Sequence, residues 1–343
     1  MSASSTTPPK GKLALYWAAS CGGCEIAVVN IDTKLLDVAA AFDIVLWPCC
    51  TDGKVHDVEA LDDGAIDVCL FNGGIRNSEQ EYMARLLRRK SKILIAFGSC
   101  AMEGCIPGLA NQHTREEIFD NVYRDTVSTE NPAAVRPQTH TDTPEGVLHL
   151  PVFYDTLKTL DQTVEVDYYI PGCPPESPRI AEAIDVLLSG KLPPKGAVIG
   201  LNTTVCDFCP RERSEKKIKE FKRTWQVIPD DTTCLLEQGI VCCGLATRAG
   251  CGALCPRVNS PCIGCYGPNG DVKDVGARLM SALASVIDSD DPEEIQRIIE
   301  EGIPDPIGTF YRFGMAHSWL RRTRKESDGQ VSDAREVVEA TTS

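Results

Sequence analysis

Five short apolar runs, "KLALYWA", "DIVLWP", "IDVCLFNGG", "SKILIAFG" and "VDYYIPG", recur between residues 12 and 172 with helix-like segments between them. Two of those segments are "EIAVVNIDTKLLDVAAAF", which reads as one helical stretch over 25–42, and "EQEYMARLLRRK". Parallel strands need a crossover longer than a hairpin turn, so this alternation is the mark of parallel β-α units. The runs are apolar at nearly every position, as strands are when helices cover both faces of their sheet. The pattern predicts an α/β fold, a flavodoxin-like doubly wound parallel sheet, over residues 12–192.

The same pattern places reactive side chains. Cys21 and Cys24 follow the first strand in "CGGC", Cys100 follows "IAFGS", and Cys173 follows "YYIPG". Parallel strands bring their carboxyl ends to one sheet edge, where ligands of such folds bind, so these four thiols are expected to converge there. Gly22, Gly23, Gly98 and Gly172 allow close backbone approach and N–H donation to sulfur. The positive end of the helix beginning near Glu25 favours thiolates. The competing reading keeps only the C-x-x-C as a metal site and leaves Cys100 and Cys173 in the core. A zinc ribbon fits less well, because zinc knuckles take their pairs from two compact, nearby turns.

After "SGKLPPKG" the strand-helix rhythm stops, and a boundary is expected near Pro194. A smaller, irregular and partly helical iron–sulfur domain over 200–323 would follow, with 1–11 and 326–343 as flexible tails. Nine cysteines lie between Cys206 and Cys265. Eight make two quartets suited to two iron–sulfur clusters: Cys206, Cys209, Cys234 and Cys242, then Cys251, Cys255, Cys262 and Cys265. Two all-cysteine zinc sites compete with this reading, and Cys243 competes with Cys242. Cys69 lies within a strand and reads as a small buried hydrophobe. Cys49 and Cys50 end the second strand.

Seventeen cysteines in 343 residues is a high count. The opening "MSASSTTPPKGK" has no apolar secretory stretch and no twin arginine, which suggests a reducing cytoplasm where clustered thiols are metal ligands rather than disulfides. The apolar runs are too short to span a bilayer. A net charge of −14 argues against a nucleic-acid surface. No general base, nucleophile or substrate pocket is evident, so no catalytic residue is expected in this chain.

Taken together, "CGGCE", "GSCAMEGCIPGL", "IPGCPP", "TRAGCGALCP", "PCIGCYGP" and "DPIGTFYRF" resemble the small subunits of NiFe hydrogenases over about residues 12–323. The nearest type is the cytoplasmic methyl-viologen-reducing (deazaflavin-non-reducing) enzyme, whose gamma subunit works with a heterodisulfide reductase complex. The resemblance implies that Cys21, Cys24, Cys100 and Cys173 hold a proximal 4Fe-4S cluster beside the NiFe site of a separate large subunit. It implies a medial cluster on the 251–265 quartet and a distal one on the 206–242 quartet, passing electrons to an iron–sulfur or flavin acceptor subunit. Periplasmic relatives begin the distal motif with histidine and replace one medial ligand by proline. Here Cys206 and Cys255 stand instead, which implies three fully cysteine-ligated 4Fe-4S clusters. Cys105 occupies a position where glycine is more usual. The alternatives are a quinone-linked subunit of the complex I type, a ferredoxin-like electron-transfer adaptor without a hydrogenase partner, and a zinc-bound interaction module.

Four local expectations complete the reading. Residues 105–165 interrupt the β-α rhythm and are expected to cover the large subunit. Glu25 has a plain helix-dipole role or a proton-transfer role. "DPEEIQRIIEEG" predicts a helix over 292–301, with Asp291 as N-cap, Glu294 closing a capping box and Gly302 as the stop. "RERSEKKIKEFKR" at 211–223 carries seven basic and three acidic side chains next to Cys209. It reads either as a solvated helix face or as a docking site for an acidic acceptor.

Overall fold

A computed structural model describes residues 10–214 and 216–321. The strands are β1 (Gly11–Trp17), β2 (Phe42–Leu46), β3 (Ile66–Asn72), β4 (Ile75–Asn77), β5 (Ser91–Phe97), β6 (His140–Thr143), β7 (Gly146–His149), β8 (Phe153–Lys158) and β9 (Tyr168–Ile170). Five of them form a parallel sheet in the order β2-β1-β3-β5-β9. Renumbered within the sheet this is 2-1-3-4-5, the flavodoxin-like order with its switch point between β1 and β3. All five apolar runs are strands of this sheet.

Successive strand residues point to opposite faces, and both faces are buried. Ala14, Tyr16, Cys69, Phe71, Leu94 and Ala96 face Met83, Leu86 and Leu87 of the helix Ser78–Lys90. Leu13, Leu15, Val68, Leu70, Ile95 and Phe97 face Ala27, Val28, Val38 and Ile180 on the helices Gly23–Val29, Lys34–Ala41 and Ser177–Ser189. Cys69 is a wholly buried member of the first face, as expected. Beyond β9 the chain crosses the helix Ser177–Ser189 and returns along the sheet edge, where Ile199 N–H donates to Tyr169 O at 2.8 Å.

Two helical expectations change. Residues 25–42 are not one helix: the helix Gly23–Val29 ends at Asn30, Asp32 takes a left-handed backbone (φ 57°), and a second helix begins at Lys34. The turn lets the two short helices follow the twisted sheet. The described residues of 211–223 hold no helix; they form isolated bridges with other segments, with Ile218 N–H donating to Val286 O and Lys222 N–H to Gly239 O. Ile218 and Phe221 point into a separate core with Leu236, Leu279, Leu283, Ile298, Phe310 and Met315. Two apolar residues three apart suit a helix face, and here irregular backbone buries both of them.

The helix Pro292–Gly302 forms as expected, with Asp291 Oδ1 accepting from Glu293 N–H at 3.0 Å. Its capping box does not close, because Glu294 instead accepts the Ser289 hydroxyl at 2.6 Å. Gly302 is its last residue, and it is small for packing: a Cβ there would lie 2.3 Å from Phe221 Cβ. The 105–165 segment is not one loop. It holds the short helix Arg115–Asp120, the exposed β6–β7 hairpin, and β8, which pairs antiparallel with β4. Among the described residues, no helix is long and apolar enough to cross a membrane.

Candidate metal centres

The carboxyl ends of β1, β5 and β9 bring the first cysteines together. After β1 the chain turns through Cys21 and Gly22 (φ 82°), whose carbonyl accepts from Glu25 and Ile26 N–H and so starts the helix carrying Cys24. Gly98 N–H donates to Ile170 O and Ser99 N–H to Gly172 O, both at 2.8 Å, which sets the turns after β5 and β9 side by side. A Cβ on Gly98 would lie 2.3 Å from Cys24 Sγ, so glycine alone allows Cys24 to seat beside the Cys100 turn. Cys100 and Cys105 pack with Phe313, Cys173 and Cys265, and Cys105 Sγ lies 3.5 Å from Cys173 Sγ.

The second half supplies the other thiols. Cys206, Cys209, Cys234 and Cys242 line one cavity together with Val205, Leu235, Arg211, Arg213, Gly244 and Pro256. Asp207 caps the short turn carrying Cys206 by accepting from Thr204 N–H at 2.7 Å. Arg211 is buried and donates to the carbonyls of Pro256, Asp230 and Thr233, tying three loops around the cavity. The two neighbours point to different surroundings: Cys242 lines the cavity and accepts from Cys262 N–H at 3.3 Å, whereas Cys243 faces the apolar core. Cys251 and Cys262 pack with Cys209 and Cys242 on one side. Cys265, from the same stretch of chain, packs with Cys100 and Cys173 on the other, where its carbonyl accepts from Ser99 Oγ at 2.6 Å. The expected medial quartet thus lies between the other two sets. Cys255 is the second residue of the adjoining helical turn Leu254–Arg257.

The electrostatics test whether such sets suit a metal. Burial and the neighbouring Cys242 push the Cys206 thiol up to about 12 against the opposing pull of Arg213, and burial and Cys242 push Cys262 up to about 12 as well. Burial and then Cys173 and Cys21 push Cys24 up; burial, Cys262, Cys251 and Cys173 do the same to Cys265. Sulfurs crowded this way out of water carry charge only when a cation neutralises them, and a coordinating thiol is deprotonated outright. All-thiolate sets are the donors of iron–sulfur clusters and of structural zinc. Among the described residues, no three His, Cys, Asp or Glu side chains converge on a single-ion site.

Further residues lie near these sets. Phe313 walls the strand-edge thiols from the far end of the chain. Glu25 is buried rather than at a solvated helix end, accepting hydrogen bonds from Trp47 Nε1 and Asn72 Nδ2, and burial raises its pKa despite both. Cys49 and Cys50 are exposed in the turn after β2.

A family model described as NADH ubiquinone oxidoreductase, 20 Kd subunit, matches residues 21–187. The iron-sulfur subunit of the F420-non-reducing hydrogenase of Archaeoglobus profundus is 44% identical over 282 residues, covering 80% of this chain and 88% of its own. A subunit of the F420-non-reducing hydrogenase of Methanothermobacter marburgensis is 37% identical, covering 89% and 94%. The family match stops at residue 187, whereas these hydrogenase relatives follow the chain beyond it. Fold and relatives together define a NiFe hydrogenase small subunit, a component of an oxidoreductase. Within that class, the chain belongs to the family of F420-non-reducing hydrogenase iron-sulfur subunits.

Proposed function

We propose that this chain is the electron-transfer subunit of a cytoplasmic NiFe hydrogenase, relaying electrons from hydrogen oxidation at the NiFe site of a separate large subunit to a protein acceptor of the heterodisulfide reductase type. Three 4Fe-4S clusters would be held by Cys21, Cys24, Cys100 and Cys173; by Cys251, Cys255, Cys262 and Cys265; and by Cys206, Cys209, Cys234 and Cys242. The observation that carries this reading is the continuous row of sulfurs, in which Cys265 meets the strand-edge set while Cys251 and Cys262 meet the Cys206 set. Bound clusters supply one-electron redox chemistry, and this chain's own residues position and tune them. Cys24, Cys100 and Cys262 are buried, and Phe313, Val205 and Ala253 keep water from the sulfurs between the sets. Arg213 beside Cys206 favours added negative charge at that end of the row.

The test is Cys173→Ala in the assembled hydrogenase. Every electron leaving the large subunit would pass the strand-edge cluster, so hydrogen-dependent dye reduction is expected to fall at least a hundredfold, on the order of a lost metal ligand. Dye reduction at the wild-type rate would show Cys173 to be a core residue and break the relay.

A further inference from the structure

Cys105 belongs to none of the three thiol sets and yet lies inside the first. Its Sγ is 3.5 Å from Cys173 Sγ, and it packs with Cys100 against Phe313, only 1% exposed. Its backbone is left-handed, with φ 49°, directly after Gly104 at φ 87°. Glycine adopts that conformation freely and a side chain resists it, so a cysteine in that conformation points to a use for its sulfur. The far end of the chain fixes where that sulfur sits. Cys105 N–H donates to Phe313 O at 2.9 Å, and a Cβ on Gly104 would lie 2.4 Å from Ala316 Cβ.

We propose that Cys105 is a positioning and tuning residue of the strand-edge cluster, donating an S–H hydrogen bond to the Cys173 sulfur and thereby raising the potential at which that cluster is reduced. The inference rests on the reading of Cys21, Cys24, Cys100 and Cys173 as a cluster site. Once Cys100 and Cys173 bind iron as thiolates neither keeps a proton, and Cys105 is the thiol of this group still able to donate. Its apolar surroundings against Phe313 favour the neutral S–H form. A donor aimed at a ligand sulfur draws charge from the cluster and favours the more negative, reduced state. An S–H is a weak donor, so the effect on the reduction equilibrium is roughly three- to tenfold.

The experiment is an EPR-monitored redox titration of the strand-edge cluster in the purified hydrogenase, comparing wild type with Cys105→Gly and Cys105→Ser. Glycine suits the left-handed backbone, so C105G is expected to fold, to keep its full iron content, and to be reduced at a potential lower by about 30 to 60 mV, the three- to tenfold effect at 59 mV per tenfold. C105S places an O–H donor in the same position and is expected to return the potential most of the way to wild type. An unshifted C105G potential overturns the proposal, and so does a C105S potential as low as that of C105G. Loss of iron or a changed EPR signature in C105G also overturns it, because Cys105 would then be a ligand. Wild-type protein without a cluster on the four strand-edge cysteines defeats the underlying reading as well, and it is told apart by its iron content before any variant is made.

Discussion

At Gly98 one missing carbon decides whether two parts of the strand-edge site can meet. With φ 81° and Cys24 Sγ only 2.3 Å from where a Cβ would stand, Gly98→Ala meets both backbone strain and a clash with a proposed ligand. The expected result is a folded subunit with about eight iron atoms instead of about twelve, the strand-edge cluster alone being lost. Full iron content in G98A would show that Cys24 can seat elsewhere. Asp167 acts on stability instead. Its side chain is 1% exposed and binds Arg88 at 2.5 Å, Lys195 at 2.6 Å and Leu94 N–H at 2.9 Å, joining the sheet edge to the segment that leaves it. Burial raises its pKa, but Arg88, Lys195 and the Leu94 N–H outweigh burial and hold it below the usual carboxylate value. Because the folded pKa is the lower one, this stabilisation is complete above the unfolded value near ~3.9 and is lost as pH falls through the folded one. Asp167→Asn is expected to cost about 1–3 kcal/mol at pH 7, with the gap closing below about pH 4 in unfolding measurements. A gap independent of pH would mean that Asp167 matters through shape rather than charge.

Among the elements, the irregular basic segment within 211–223 bears most on the proposed electron acceptor. Arg211 and Arg213 at its start line the cavity of Cys206 and Cys209, and further along buried Ile218 and Phe221 hold it down, leaving Lys216, Lys217 and Lys219 exposed. Within a chain of net charge −14 this basic strip suits an acidic iron–sulfur or flavin acceptor, mainly by speeding encounter. Reversing Lys216, Lys217 and Lys219 to Glu is expected to slow reduction of the protein acceptor on the order of tenfold at low salt and to weaken its salt dependence, with dye reduction intact. Unchanged acceptor rates at low and high salt would retire the docking role. The strands and their edge cysteines were legible because near-continuous apolar runs and glycine-bounded cysteines are local signals whose meeting place follows from parallel topology. The break at Asp32 and the irregular path around Ile218 and Phe221 were not, because tertiary packing overrode a helical-looking pattern. Cys242 and its neighbour could be separated only by burial, which adjacent identical residues do not encode. Cys105 was conspicuous in sequence, but its contact with Cys173 spans 68 positions and depends on Phe313 near the other end of the described chain.

Across the whole molecule, one flavodoxin-like sheet and one irregular cysteine-rich region bring together sulfurs from the carboxyl edge of the sheet to the cavity lined by Cys206, Cys209, Arg211 and Arg213. The central claim is that these sulfurs hold three 4Fe-4S clusters, and metal analysis of the anaerobically purified subunit tests it most directly. The account predicts about twelve iron atoms per chain and no stoichiometric zinc, from three clusters with four cysteine ligands each. About eight iron atoms would mean that one quartet is wrongly assigned, and zinc without iron would contradict the relay altogether.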